Sequence, residues 1–316
     1  MNCAIGSSTI RRLLWAGLLV GVCALTVWLD RLSHPAPSLP SKPLRVVSMS
    51  PHVTEMIFVL GAADCLVGIS DYCHLPEGSG PNASAPEPLP RCGGLLNPNF
   101  ERILALRPNL ICLLGRMDRV QQFANDHGIR AVSFNVDSFS DLVREIHHAG
   151  DLVDAKAAAN RLVRQLEERL SVVRKHGEKL PRYRTLLLLG REPGGLTRMM
   201  SVSNASFLGE MLEAAHGENI FALQKQAYFP ASRESIVALQ PEVIFELREG
   251  AQLAAGQEEL LRQDWKCEPS LPAVRHNRIL VVTNEKITIP GPGMVEVAEF
   301  FQEHLQKFAE EDARKK

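Results

Sequence analysis

The sequence lacks the motifs that mark common enzymes and nucleotide-binding proteins. It contains no P-loop, no dinucleotide-binding glycine motif, no Gly-x-Ser-x-Gly, no His-Glu-x-x-His and no carboxylate pair in an evident catalytic setting. It also has no excess of positive charge, since 35 Lys and Arg stand against 36 Asp and Glu, and no basic run is interleaved with aromatic residues. The composition therefore argues against nucleic acid as a partner.

Cysteine patterns do not predict a metal site. The seven cysteines form no Cys-x-x-Cys pair, which excludes the usual zinc spacing. Asp71, Tyr72, Cys73 and His74 are four potential ligands, but consecutive residues rarely chelate one ion, so we predict neither a metal site nor a cofactor. Cys73 and Cys92 flank a loop rich in Gly and Pro, where they could pair in an oxidising compartment or stay reduced.

A long hydrophobic run is present at the N-terminus. Residues 13–29 are uncharged and apolar and follow two arginines, which is typical of a signal peptide or of an uncleaved anchor. No small-residue cleavage pattern follows the run, and no small residue precedes Cys23 as a lipoprotein signal would require. We therefore expect residues 1–32 to be a membrane anchor helix that stays attached. Residues 33–43 contain four prolines and predict a semi-rigid extended spacer.

One segment of the chain occurs twice, as residues 99–111 and 232–244. Both copies place a capping residue, Glu, Ile, Ala-Leu, Pro and Ile at the same relative positions. Each copy predicts a short helix that ends near a proline and is followed by a buried strand, with Asn99 and Ser232 as N-caps. A repeated supersecondary unit predicts two similar α/β lobes, and hence a two-lobed binding protein.

Strands and helices alternate around both copies, which predicts an α/β fold with parallel sheets in two Rossmann-like lobes. Further strands are predicted at residues 45–49, 65–69, 129–134, 185–189 and 279–282, and helices at residues 52–60, 117–127, 139–149, 207–214 and 293–308. From residue 151 to about 177, apolar residues recur at helical spacing. This predicts one helix of about 26 residues, roughly 40 Å long, that joins the lobes. The predicted bounds are 44–150 for the N-terminal lobe, 151–180 for the connecting helix and 181–316 for the C-terminal lobe.

Several side chains lie in loops after strands or before the repeat helices, where an open α/β sheet binds its ligand. Tyr72, Tyr228 and Phe229 would offer flat apolar contact to a large ring or chelate, although any one of them could instead pack between loops. Arg191 lies in the glycine-rich segment 190–195, which predicts either a loop lining a cleft or a plain turn between a strand and a helix.

Two glutamates occupy equivalent places in the repeated segments. Glu101 and Glu234 fall in the first turn of the predicted helices. A carboxylate there stabilises a helix by up to about 1 kcal/mol through the helix dipole, which would explain either residue alone. Because both occur at the same position in two lobes, a shared partner becomes a second interpretation.

Five stretches of the chain match one protein family in order and spacing: residues 45–55, 66–76, 97–108, 217–221 and 230–241. On these stretches the chain resembles the helical-backbone periplasmic binding proteins of ABC importers, which deliver cobalamin, haem or ferric siderophores. In the cobalamin-binding member, one glutamate in each lobe docks onto arginines of the membrane permease. The resemblance assigns this docking role to Glu101 and Glu234.

The same resemblance implies positions for a ligand site. The cleft tyrosine of the cobalamin-binding member matches Tyr72, and an aromatic residue before a proline matches Phe229, which Tyr228 precedes. Near the last strand, Glu285 is the comparable acidic residue. A tryptophan of that member has no counterpart in residues 92–96. A cobalamin-like corrinoid is therefore favoured mildly over a ferric siderophore or haem.

Together these features predict a monomeric, extracytoplasmic solute-binding receptor of an ABC importer. It would be anchored to the inner membrane of a bacterium and would hand a metal-containing nutrient to a permease dimer with its ATPase. A membrane-tethered ligand sensor or scaffold is the alternative, and an enzyme on the same two-lobed architecture is a third interpretation. The paired glutamates favour transport over sensing. The residues before the anchor are too few to form a signalling domain.

Overall fold

Short runs of Val, Ile and Leu form a parallel sheet in the first lobe because helices cover both faces of each run. The computed structural model describes residues 43–73, 89–248 and 256–315. The strands of this lobe are β1 (Val46–Ser48), β2 (Leu66–Ile69), β3 (Leu110–Leu114) and β4 (Arg130–Phe134). Its helices are α1 (Pro51–Val59), α2 (Phe100–Ala105), α3 (Asp118–Asp126) and α4 (Phe139–Leu152). The sheet order is β2-β1-β3-β4, and every neighbouring pair is parallel.

The second lobe contains a mixed sheet. Its strands are β5 (Arg184–Leu188), β6 (Met199–Val202), β7 (Glu218–Asn219), β8 (Tyr228–Ala231), β9 (Val243–Leu247) and β10 (Ile279–Val282). The order is β10-β9-β5-β6-β8, with β7 also paired to β5. Strands β10, β9, β5 and β7 form parallel pairs, whereas β6 is antiparallel to both β5 and β8. The expectation of a parallel sheet therefore holds for the centre of this lobe and is wrong at its β6–β8 edge.

The helices of the second lobe include a long C-terminal one. They are α6 (Phe207–Ala214), α7 (Arg233–Leu239), α8 (Gln257–Asp264), α9 (Pro272–Arg275) and α10 (Met294–Lys315). Helix α6 and strand β10 have the predicted bounds, while α10 continues seven residues beyond the predicted end at residue 308. Strands β6, β7 and β8 and helices α8 and α9 were not predicted, because they are short and carry no clear periodicity.

The predicted anchor and spacer lie outside the described residues, apart from Pro43. Leu44–Lys316 forms one compact unit. Within the described ranges, no helix has the length and apolar character that crossing a bilayer requires.

Both repeated segments form the predicted helix and strand. Asn99 Oδ1 accepts a hydrogen bond from Arg102 N at 2.9 Å and caps α2. Ser232 Oγ accepts one from Ser235 N at 3.1 Å and caps α7. Each helix leads into a buried central strand of its lobe, β3 or β9, so the two lobes share the predicted unit.

The connecting helix begins later than predicted. Helix α4 ends at Leu152, and α5 runs over Lys156–Gly177, which is 22 residues or about 33 Å. Asp154 between them adopts a left-handed conformation (φ 56°), and Ala155 N donates to Gly150 O at 2.7 Å. This is a Schellman motif, which ends α4 without Gly at the left-handed position. The prediction of one helix from residue 151 is therefore wrong by about one turn.

One hydrophobic core runs through both lobes along α5. Buried residues of α4, α5, α6 and α10 belong to it, among them Leu142, Ile146, Leu166, Leu170, Phe207 and Phe301. Arg169 of α5 also forms two hydrogen bonds with Glu299 of α10, at 2.7 and 3.0 Å. Because the lobes share packed side chains rather than a bare linker, their relative position is fixed by the core.

Candidate ligand-binding cleft

The carboxyl ends of the first-lobe strands face the second lobe. The segment after β4 reaches across, since Phe139 N donates to Glu210 Oε2 of α6 at 2.7 Å. Helix α1, which follows β1, also contacts the second lobe. Its Glu55 lies against Gly291, where an added Cβ would be 2.8 Å from Glu55 Oε2. Open α/β sheets bind ligands outside the carboxyl ends of their parallel strands. The region where these strand ends meet the second lobe is therefore the candidate ligand site, and we call it the cleft.

Tyr72 lies at the predicted place and is accessible. It sits in the turn directly after β2, with 63% of its surface exposed. Its backbone N–H is 3.3 Å from Ser70 Oγ, and its ring lies against Gly94, where an added Cβ would be 2.6 Å from Cε2. The ring is accessible beside the carboxyl end of β2, and its contact with a ligand stays a prediction.

Tyr228 is accessible on the opposite lobe. It begins β8, is 43% exposed, and shares one face of the β6–β8 pair with Pro230 and with their partners Val202 and Met200. Burial, and next the charge of Asp137 after β4, raises the pKa of the Tyr228 hydroxyl. Because Asp137 belongs to the first lobe, Tyr228 lies near the region where the lobes meet.

Phe229 points to the other face of the sheet. It is 7% exposed and packs edge-on against Phe221, with 5.1 Å between ring centroids. The same core cluster includes Trp265 and Ile244. The prediction that Phe229 contributes apolar surface to the ligand is wrong, because alternate residues of a strand face opposite sides and Tyr228 takes the accessible one.

Arg191 is buried in an ion-pair network. Its Nε donates to Glu246 Oε2 at 3.2 Å, and its Nη1 donates to Asp264 Oδ2 at 2.8 Å. Backbone carbonyls of Gly195 and Leu261 accept two further bonds. The guanidinium has no accessible surface, so it cannot contact a ligand in this arrangement. The predicted ligand role is wrong, and Arg191 is a structural residue within the 190–195 segment.

Arg248 lies near the candidate site and was not predicted from the sequence. It directly follows β9 at the carboxyl end of that strand and is partly buried. Its Nη1 donates to Glu246 Oε1 at 2.8 Å, so the carboxylate that holds Arg191 also orients Arg248. In the sequence, its position just after the second repeated segment could have indicated a residue at the carboxyl end of that strand. Glu285 begins a 3₁₀ turn after β10, and its side chain lies outside what the structure describes.

His52 is buried beside this site and stays neutral. It is the second residue of α1, and its Nδ1 lies 3.0 Å from Ser50 Oγ. Burial lowers the pKa of the imidazole to about 4. Near neutral pH this ring therefore contributes no positive charge to the cleft.

Glu101 and Glu234 are both exposed on the first turn of their helices. Within the described ranges neither carboxylate forms an ion pair, whereas the neighbouring Arg233 is paired with Glu268. An open groove of about 990 Å³ runs beside α7 and includes Ser235 in its wall. This groove borders the helix of Glu234 rather than the side chains of the cleft.

Cys73 and Cys92 do not form the disulfide that sequence reasoning left open. Both are buried free thiols. Cys73 Sγ accepts a hydrogen bond from Thr54 Oγ1 at 3.1 Å, while Cys92 Sγ lies 3.8 Å from Pro90 O. Burial raises the pKa of both thiols, that of Cys92 to about 11, which lowers the thiolate fraction of each in this folded state. In residues 43–73, 89–248 and 256–315, no group of three or more His, Cys, Asp or Glu side chains could hold a metal ion.

Comparison with known proteins assigns the family. A family model described as "Periplasmic binding protein" matches residues 46–285. The vitamin B12-binding protein of Vibrio parahaemolyticus is 24% identical over 273 residues, which are 83% of this chain and 91% of the relative. An ABC transporter substrate-binding lipoprotein of Bacillus subtilis is 24% identical over 288 residues, or 88% and 85%.

A solved structure shares the fold. The periplasmic haem-binding protein HutB of Vibrio cholerae superposes with a TM-score of 0.69 at 20% identity, covering 84% of this chain and 99% of that one. The α/β fold with two parallel-sheet lobes is thus shared with a solved structure. Because the family model matches more than half of its residues, the chain belongs to the periplasmic binding protein family.

Proposed function

We propose that this protein captures a metal-containing nutrient in the cleft between its lobes and delivers it to an ABC permease. The observation that carries the proposal is the pair of exposed carboxylates, Glu101 and Glu234, on the first turns of equivalent helices in the two lobes. Two equivalent acidic points suit a partner that is itself a symmetric dimer with basic residues. Such a dimer would carry the transport ATPase.

The shared core supports a two-point contact. Helix α5 and the residues packed on it fix the separation of the lobes, and therefore that of the two glutamates. A partner with two basic sites at matching separation would engage both carboxylates without reordering the protein, which lowers the entropic cost of docking. Individually, exposed ion pairs contribute only about 0–1 kcal/mol, so specificity would come from the pair.

The ligand would be a large chelate with flat and acidic parts. Tyr72 and Tyr228 offer ring faces from opposite lobes, and Arg248 places a guanidinium at the carboxyl end of β9. The resemblance favours a corrinoid, and a relative is named for vitamin B12 binding. A ferric siderophore or haem is the alternative, since a protein of the same fold is named for haem binding.

We further propose that the protein works on the extracytoplasmic side of the inner membrane, held by residues 1–32. The hydrophobic run at residues 13–29 behind two arginines supports this anchor. A relative named a lipoprotein supports attachment to a membrane, although a lipoprotein is held by a lipid group instead of a retained helix. N-terminal sequencing of the native protein measures whether this segment is retained. A mature chain that starts near residue 33 in the soluble fraction would contradict the anchor.

A charge reversal tests the docking role. In the double variant Glu101→Lys and Glu234→Lys, like charges would face the basic sites of the permease, which costs several kcal/mol in an interface. Cells carrying this variant should lose uptake of the nutrient, while the purified protein should bind it with unchanged affinity. The matched control is Glu167→Lys with Glu168→Lys, an equal charge change on exposed residues of α5.

The two readouts separate the alternatives. Normal uptake by the docking variant would remove the transport interface and favour a tethered sensor. Weakened binding by the purified variant would place the glutamates in the ligand site instead.

A ligand panel tests the chemistry of the cleft. Cyanocobalamin, haemin and ferrichrome should be compared by the shift of the melting temperature of the purified protein. At a concentration 100 times Kd, a ligand that binds only the folded state stabilises it by about 2.7 kcal/mol. No shift with any of the three would contradict capture of these chelates.

A further inference from the structure

A short segment of the first lobe holds the turn that carries Tyr72. We call residues 90–94 the strap. It runs beside the end of β2, where Ile69 N donates to Pro90 O at 3.0 Å and Cys92 N donates to Ile69 O at 2.8 Å. Arg91 thus forms an isolated parallel β-bridge with Ile69, at the free edge of the first-lobe sheet.

Three backbone carbonyls of the turn converge on one side chain of the strap. Nη1 of Arg91 lies 2.9 Å from Ser70 O, 3.4 Å from Asp71 O and 2.5 Å from Cys73 O. Carbonyl dipoles that point at one position repel each other unless a cation occupies it. The conformation of residues 70–73 therefore depends on the guanidinium, and Tyr72 lies inside that span.

The strap also touches the ring of Tyr72. Gly94 lies against it so closely that an added Cβ would be 2.6 Å from Cε2. Backbone and ring of Tyr72 are thus both placed by the strap, the first through Arg91 and the second through Gly94.

The other side of the strap forms hydrogen bonds with α2, the helix that carries Glu101. Arg102 of α2 donates from Nη1 to Arg91 O at 3.0 Å, and Asn99 N donates to Cys92 O at 2.8 Å. Arg102 is the neighbour of Glu101 in the chain. A continuous set of hydrogen bonds therefore runs from the first turn of α2 to the turn that carries Tyr72.

We infer that Arg91 is a positioning residue for ligand capture, which holds the 70–73 turn closed and keeps the Tyr72 ring at the cleft. The part of this inference that concerns the ligand rests on the function proposed above. The hold of Arg91 on the turn does not rest on it and can be measured without any ligand.

Thiol labelling measures the state of the turn. Cys73 is fully buried at the end of the turn, and Cys112 is equally buried in β3. The full chain in detergent is treated with N-ethylmaleimide, and the peptides with each cysteine are quantified by mass spectrometry. In Arg91→Gln, Cys73 should react at least about tenfold faster than in the wild type, because the lost hydrogen bonds are charge-assisted. Cys112 should react at an unchanged rate.

Matched variants sharpen this result. Arg91→Lys should restore much of the protection, since an ammonium is also a cation with several donors. Arg116→Gln is the control, because that exposed arginine of the same lobe pairs with Asp118 instead of the turn. Unchanged labelling of Cys73 in Arg91→Gln would overturn the inference. Equal acceleration at Cys73 and Cys112 would also overturn it, because Arg91 would then support the whole fold.

A double-mutant cycle connects the turn to binding, with cyanocobalamin as the probe. Arg91→Gln should weaken binding about tenfold or more in the Tyr72 protein and have little effect in the Tyr72→Ala background. Equal losses in both backgrounds would show that Arg91 does not act through Tyr72. If the wild type does not bind cyanocobalamin, the corrinoid assignment fails, and the labelling result still decides the role of Arg91 in the turn.

Discussion

Two neighbouring aromatic residues of β8 should differ sharply when each is changed to alanine. Phe229 is 7% exposed and packs against Phe221 in a core that includes Trp265. Removing such a ring from a packed core typically costs about 3–5 kcal/mol, from lost burial and from the cavity left behind. Phe229→Ala should therefore lower the free energy of unfolding by that amount.

Tyr228→Ala should affect ligand affinity more than the free energy of unfolding. Its side chain is 43% exposed, so truncation removes roughly half of the burial energy of a large side chain, or about 1 kcal/mol. Its ring lies on the face of the β6–β8 pair near the other lobe, and its loss should weaken chelate binding about tenfold or more.

Both quantities are measurable on the same purified proteins. Urea unfolding followed by circular dichroism gives the free energy of unfolding, and titration with the best chelate of the panel gives the affinity. Phe229→Leu is the control, since it keeps most of the core volume and should be far less destabilising than Phe229→Ala. The reasoning is refuted if Phe229→Ala unfolds within about 1 kcal/mol of the wild type and binds at least tenfold more weakly.

Two further predictions concern buried ionisable groups. Burial lowers the pKa of His52 to about 4 from an ordinary value of 6.5, so the unfolded chain binds more protons between these pH values and stability falls as the pH is lowered through this window. The loss should reach about 3 kcal/mol near pH 4 and be absent in His52→Gln, as measured by urea unfolding at several pH values; an identical pH dependence in that variant would exclude His52 as its source. Arg191→Met leaves the fully buried Glu246 short of a partner and should cost about 3 kcal/mol or more, whereas Arg198→Met breaks an exposed pair with Glu192 and should cost less than about 1 kcal/mol. Similar losses in the two arginine variants would contradict the structural role of the Arg191 network.

The elements of the fold could be predicted where the determining interactions are local. The repeated segments carry their own N-caps, and Asn99 and Ser232 each bond a backbone N–H only three residues away. The periodicity of buried positions also placed α6 and β10 correctly. The two-lobed α/β architecture and the docking candidates follow from these local patterns, because a helix and its following strand are encoded within one short segment.

The helix break at residues 153–155 illustrates a limit of such patterns. The apolar spacing continues through the break, and no Gly or Pro marks it. The left-handed Asp154 is accompanied by close packing of the two helices, in which a Cβ on Gly150 would lie 2.6 Å from Ala159 Cβ. The helix propensities of single residues carry no information on this contact between α4 and α5, so they could not predict the break.

By itself, the sequence determined that the chain has two similar lobes, where their central helices and strands lie, and which two carboxylates occupy equivalent exposed positions. Only the tertiary structure decided which aromatic residue of β8 is accessible, because the core cluster with Phe221 and Trp265 covers the face that Phe229 takes, while Tyr228 takes the other face. It likewise decided that Arg191 is buried, since its partners Glu246 and Asp264 are 55 and 73 residues away in the chain. Burial and charge pairing depend on what other segments bring to a position, and that information exists only once the chain has folded.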